Sequence, residues 1–256
     1  MGSIGQVAIF FLLSISFGST LFSILANSKN TGAGLIRVLS TISATSMIVA
    51  LITFLTSGES FYQALTLLII GTIILQIITY FFHRDGKSIL MWTIYTLSGV
   101  THTLCAYFLV DQKLVPFLFY FSSMLYLGVV HYVMILGHWY LVTPKLSNKP
   151  LLKGLLIFWP LLLLKLTATS FGAFDKMDFF TEGTILGSGY SFNWIMLIMR
   201  VVWGYLILLV LSYFGWKLVK MRDIQSATGI FYVMVFFVYI AEIISTYLYF
   251  EHGLLL

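Results

Sequence analysis

The sequence predicts an all-α, polytopic membrane helix bundle of about eight transmembrane helices, with the N- and C-termini on the non-cytoplasmic side. Three observations predict it. Of 256 residues, 60% are apolar and 9% are charged, at a mean hydropathy of +1.00, which leaves too little polar surface for a soluble domain. The apolar residues fall into runs near the roughly 20 residues that a hydrocarbon core requires of a helix. The 14 basic and 9 acidic residues sit mostly between those runs, where insertion free energies place them.

Helices are expected near residues 4–26, 35–56, 61–82, 89–110, 116–142, 154–173, 191–215 and 229–250. Between them, "NSKNTGAG", "HRDGKS", "TPKLSNKP" and "KMRDIQSATG" gather Pro, Gly, Asn and charge. No soluble domain is left over, so residues 1–256 are expected to form one integral membrane domain. The apolar run after Met1 has no Lys or Arg before it and no small-residue cleavage site after it, so it reads as a retained helix.

Orientation follows from basic residues on alternate connections. One set holds ten, Lys29, Arg37, Arg84, Lys87, Lys145, Lys149, Lys153, Lys217, Lys220 and Arg222; the other holds two, Lys113 and Lys176. The positive-inside rule makes the first set cytoplasmic, and a bacterial inner membrane is the expected location. Glu59, Asp111, Asp175, Asp178, Glu182 and Glu251 then fall on the outer side. The formal charge of +5 is a topology signal, and without a basic stripe or a binding fold nucleic acid is not an expected partner. The lone Cys105 excludes an intrachain disulfide and argues against a thiolate metal cluster.

Short connections make sequential helices antiparallel neighbours. The exception is residues 174–192, "FDKMDFFTEGTILGSGYSF", expected as an ordered loop on the outer face and a candidate docking surface for other membrane or extracytoplasmic subunits. The stretch "STISATS" at 40–46 reads as small residues for close helix packing. Trp139, Tyr140, Tyr190, Trp194 and Trp216 stand where an aromatic belt meets the bilayer surfaces.

An ionisable group inside a spanning helix costs a few kcal/mol, so each needs a partner or a task. The chain has His102, His131, His138, Lys165, Arg200 and Glu242. His102 is nine residues from Asp111, Lys165 ten from Asp175, Arg200 nine from Ser191 and Glu242 nine from Glu251. At a rise of about 1.5 Å per residue, all four lie about 13 to 15 Å below the outer boundary, which predicts one shared polar layer. Arg200 and Glu242 are the expected ion pair, with Ser245 and Thr246 on the same face as further hydrogen-bonding groups. Such a pair has an ordinary structural use in fixing helix register. Lys165 is harder to explain: it is neutral, or it snorkels, or something anionic completes the layer.

His131 and His138 are seven residues apart, so both face one direction, about 10 Å apart along the axis. Histidines on two helices are the usual axial ligands of a b-type haem. His131 lies about 9 Å deeper than His102, so one haem between them needs a tilt or a shifted helix boundary. His138 is expected near the inner surface, beside His83 or water. His83 and His252 are boundary residues with no expected role. Gly99 and Gly128 each stand three residues before a histidine, where they admit a flat ring or a neighbouring helix.

Taken together, these residues suggest a membrane subunit of an electron-transfer or quinone-linked complex. His102, His131, His138, Lys165 and Arg200 are the candidate cofactor-binding residues, for haem b through His102 and His131 or for a quinone. Glu242 with Arg200 is a proton relay or ion pair. No catalytic residue stands out, and no metal other than haem iron is expected. The alternatives are a transporter or channel for a small anionic solute, with Lys165 and Arg200 as its charge trap, and a non-catalytic scaffold subunit. There is no inverted repeat to favour transport. GxSxG, HExxH, paired DxxxD and P-loop motifs are absent.

Overall fold

In hydrocarbon a polypeptide backbone has only itself to bond, so each long apolar run closes into a helix. The structure, a computed structural model, describes residues 3–25, 31, 33–56, 63–82, 89–143 and 146–256. Its helices are α1 (Ser3–Phe22), α2 (Ala33–Thr56), α3 (Gln63–Phe82), α4 (Ile89–Leu109), α5 (Leu114–Val142), α6 (Lys149–Asp175), α7 (Tyr190–Lys220) and α8 (Ile224–His252). There is no strand among the described residues. Seven of the helices are long and apolar enough to cross a membrane. The eighth, α4, has 21 residues and is diluted by Thr93, Thr96, Ser98, Thr101, His102 and Thr103. His83, Glu59, Lys29, Arg84, Lys87 and Lys145 lie outside the described residues.

Helices α6, α7 and α8 outrun their expected limits, because apolarity marks only the stretch inside hydrocarbon. Pro150 starts α6 in its first turn, where a missing N–H is harmless. The Asp223 carboxylate caps α8 by accepting from the Ser226 N–H at 3.2 Å. Helix α7 is not uniform: residues Val202–Leu206 form a π turn. Helix α6 contains Pro160, which removes one backbone hydrogen bond from its middle.

The helices pack as two four-membered circuits. Helices α1 to α4 contact in sequence and α4 returns to α1; α5 to α8 do the same, with α8 returning to α5. The circuits meet where α1 packs on α5 and α8. Gly18 and Gly128 make that seam possible: a Cβ built on Gly18 would stand 2.2 Å from the Gly128 Cα. Two backbones in contact leave no room for any side chain.

The start of α1, the start of α5 and the end of α8 share one side, since the Phe10 and Tyr120 rings and the Tyr120 and Tyr249 rings are both 4.9 Å apart. The start of α1 and the end of α8 therefore lie at the poorly basic side. The segment after α6 packs onto this face as an ordered loop. Asn193 Nδ2 donates to the carbonyls of Phe179 at 2.8 Å and Leu186 at 3.0 Å, and Trp194 Nε1 donates to Phe180 O at 2.9 Å. Phe179 and Phe180 are buried against Ile244, Leu248, Leu254 and Leu256. Gly187 is required there by a φ of +64° and by Phe179, whose ring would be 2.4 Å from an added Cβ.

Candidate functional site

Three ionisable side chains are buried together in the second circuit. Arg200 on α7 and Glu242 on α8 approach at 2.8 Å, Nη1 to Oε1, with side chains 0% and 2% exposed. Lys165 on α6 is wholly buried, so it does not snorkel, and it lies within Coulombic reach of both. Its ammonium sits 3.3 Å from the centre of the Phe119 ring and donates a long bond, 3.5 Å, to the Phe119 carbonyl.

Tyrosines enclose the charges. The Arg200 guanidinium lies 4.9 Å from the Tyr205 ring, whose hydroxyl meets Thr169 Oγ1 at 2.6 Å. Tyr126 donates to the Gly204 carbonyl at 2.5 Å, within the π turn, and Tyr120 donates to the Ser245 carbonyl at 3.1 Å. π turns recur at functional sites because they re-aim neighbouring groups. Here the turn begins two residues after Arg200, and the guanidinium passes beside Gly204, whose added Cβ would stand 3.3 Å from Nη1.

The charged layer is not satisfied by the protein. Arg200 Nε, Arg200 Nη2 and Glu242 Oε2 are buried with no partner among the described residues. The expected help from Ser245 and Thr246 does not reach the carboxylate. Thr246 donates to the backbone carbonyl of Glu242 at 2.5 Å, and Ser245 donates to Leu256 O. The Thr246 hydroxyl turns back on the preceding turn, as hydroxyls in helices readily do, and the Ser245 hydroxyl is taken by the chain's own end. Buried orphan groups on this scale call for a water or a ligand.

Beside the layer, α5 and α6 leave a cavity of about 610 Å³ lined by Leu118, Phe119, Ser122, Leu164, Ala168 and Phe171, among others. Leu118, Leu164 and Phe171 belong to the outside of the bundle, so the cavity opens toward lipid. Phe119, one of its lining residues, is the residue whose ring and carbonyl Lys165 Nζ contacts.

His102 does not share this chamber, which corrects the expectation of a single layer. It is buried in the first circuit, where Nδ1 meets the Ser98 carbonyl at 2.7 Å and Nε2 meets Ser16 Oγ at 2.7 Å. A carbonyl only accepts, so Nδ1 carries the proton, and in the neutral ring Nε2 accepts from Ser16. Ser16 bonds Ser43 at 2.6 Å, Ser43 bonds Thr20 at 3.1 Å, and Gln76 Nε2 donates to Thr20 at 2.9 Å and to Ser98 Oγ at 2.7 Å. All four helices of the circuit contribute. Equal depth along the membrane normal says nothing about position around the bundle: His102 is on α4 in the first circuit, and Lys165, Arg200 and Glu242 are on α6, α7 and α8 in the second.

His131 and His138 both face α8. His131 Nδ1 meets the Tyr239 hydroxyl at 2.5 Å, and His138 Nδ1 meets the Tyr232 hydroxyl at 2.7 Å. The two histidines and the two tyrosines are each seven residues apart on antiparallel helices, so they form matching rungs. His131 Nε2 is buried with no partner among the described residues, whereas His138 is exposed. Gly128 admits α1, and a Cβ on Gly99 would meet nothing within 4 Å, so neither glycine makes room for a flat ring.

Sequence reasoning missed Ser16, Ser43, Gln76, Tyr120, Tyr126, Tyr205, Tyr232 and Tyr239. Two signals were present: Gln76 is a lone amide in an apolar run, and the Tyr232 to Tyr239 spacing repeats that of the histidines. The "STISATS" stretch read only as packing supplies Ser43 to the His102 network. Among the described residues no three His, Cys, Asp or Glu side chains gather as metal ligands. Comparison of the chain with protein-family models, with curated proteins and with solved structures finds no match.

Proposed function

We propose that the chain is a quinone-linked membrane subunit of an electron-transfer complex, with its binding chamber at Lys165, Arg200 and Glu242. One observation carries this reading: a buried, under-partnered set of Lys165, Arg200 and Glu242 is linked, through the Lys165 contact with Phe119, to a groove that opens to lipid. The groove suits the apolar tail of a lipid-soluble quinone. The unpartnered N–H groups of Arg200 suit its carbonyl oxygens, and the surplus positive charge favours the negative charge that builds there on reduction. Glu242 Oε2, with no partner among the described residues, is the group that would take up a proton as the quinone is reduced and hand it to that oxygen. Both ring nitrogens of His102 are hydrogen-bonded, so the reading rests on a quinone and not on a haem held between His102 and His131.

The electron donor in this reading is a partner protein docked on residues 174–192, where Ile185 is 94% exposed. The membrane is a bacterial inner membrane, with the basic side cytoplasmic. The test is binding of decylubiquinone to the purified chain in nanodiscs, with organic extraction of any quinone that copurifies. Arg200→Gln and Lys165→Met are expected to abolish binding. Absence of both copurified quinone and decylubiquinone binding in the wild type overturns the proposal.

A second reading, a carrier for a small anion, is favoured by the irregular backbone of the two helices that hold the cations, Pro160 in α6 and the π turn in α7. Counterflow uptake into liposomes, lost in Arg200→Gln, would select it.

A further inference from the structure

Helices α6 and α7 meet again toward the basic side. Trp159 Nε1 donates to Ser212 Oγ at 3.0 Å, the Trp159 and Trp216 rings are 5.7 Å apart, and Asn148 Nδ2 donates to Val219 O at 3.0 Å. These contacts tie the seam but leave an apolar groove of about 410 Å³, lined by Trp159, Leu209, Val210 and Tyr213. Three of the four residues are exposed on the outside of the bundle.

Charge lies directly beyond the groove. On α7, Leu209, Tyr213 and Lys217 follow at four-residue steps and share a face. Lys220 Nζ stands 4.0 Å from the centre of the Trp216 ring. The Asn148 bond brings the start of α6 alongside, where Lys149 and Lys153 are exposed. Arg222 follows in the turn. Among the described residues none of these four lysines has a carboxylate partner, and the nearby acid, Asp223, is occupied in capping α8.

We propose that this seam seats one anionic phospholipid of the cytoplasmic leaflet. One acyl chain fills the groove against Trp159, the Tyr213 and Trp216 rings lie at the level of the ester groups, and the phosphate meets Lys153, Lys217 and Lys220. The charge pattern decides the class of lipid. An apolar groove alone accepts any acyl chain, but unpaired cations at its mouth favour a headgroup of net negative charge over a zwitterionic one. Trp and Tyr at an interface present an apolar body to the chain and a polar edge to the headgroup. The site is on the opposite half of the bundle from the quinone chamber and does not depend on it.

The test uses the full chain in mild detergent, offered equal amounts of dioleoylphosphatidylglycerol and dioleoylphosphatidylcholine, with retained lipid weighed by native mass spectrometry. Wild type is expected to retain the glycerol lipid preferentially. Each lysine removed in Lys217→Gln and Lys220→Gln should lower that preference about fivefold. Val210→Trp fills the groove while keeping every charge, and should also lose the lipid. Lys113→Gln and Lys176→Gln, on the other side, should change nothing. Equal retention of both lipids by the wild type overturns the proposal. So does anionic lipid that survives the lysine exchanges, or that survives Val210→Trp, which would place it on the surface and not in the seam.

Discussion

Exchanging Arg200 for Met and Glu242 for Leu, singly and together, probes the charged layer. Both side chains are buried, and among the described residues the 2.8 Å contact is the one bond that either charged group makes. Removing one partner of such a pair costs about 3–5 kcal/mol, because the other is left as an uncompensated buried charge. Lys165 makes the two exchanges unequal. Arg200→Met leaves Glu242 with Lys165 in Coulombic reach, an anion and a cation, whereas Glu242→Leu leaves two cations with no anion.

Arg200→Met is therefore expected near the lower limit, about 3 kcal/mol, and Glu242→Leu near the upper, about 5 kcal/mol. The double variant retains only Lys165 and should recover about 2 kcal/mol or more relative to Glu242→Leu. Unfolding in mixed micelles by titration with dodecyl sulfate, followed by tryptophan fluorescence, reads these values. Uncharged contacts between membrane helices couple by about 0.6 kcal/mol on average. A coupling no larger than that, with the single costs simply adding, would refute the argument that the three charges act as one set.

The seam between the circuits makes a second prediction: Gly18→Val should prevent folding or cost about 3 kcal/mol or more, since it meets backbone that cannot move aside, while Gly99→Ala should be neutral in the same titration. At the buried rung, His131→Phe and Tyr239→Phe should each cost about 1–3 kcal/mol by stranding the other polar group, and the double exchange should cost less than either. The exposed rung should respond weakly, with His138→Phe within about 0.5 kcal/mol. A reduced-minus-oxidised absorption spectrum of the purified chain should show no haem ligated through His102; a haem band that His102→Ala removes would contradict the bonding of both its nitrogens.

What sequence supports here is set by what one dimension records. Hydropathy marks where hydrocarbon begins and ends, so the helices and their antiparallel order are legible without coordinates. The pairing of Arg200 with Glu242 was readable because α7 and α8 are joined by a short turn. The separation of His102 from Lys165 was not, because depth along a helix is encoded by position while azimuth is encoded only by packing. The Gly18 and Gly128 contact shows the same limit. Both glycines are visible in the sequence, but nothing local says that they touch across 110 residues. Polar satisfaction is likewise a property of neighbours, and Gln76 acquires its meaning from Thr20 and Ser98 on two other helices.

Phe179 and Phe180, held down by Asn193 and Trp194, roof the second circuit on its outer face. In the proposed quinone reading, a ligand of the chamber below them would arrive sideways, through the plane of the bilayer. Its effective concentration is then a mole fraction among lipids and not a molarity in water. Any dissociation constant quoted per litre of buffer should drift with the amount of lipid present, and should become constant only when expressed per mole of lipid.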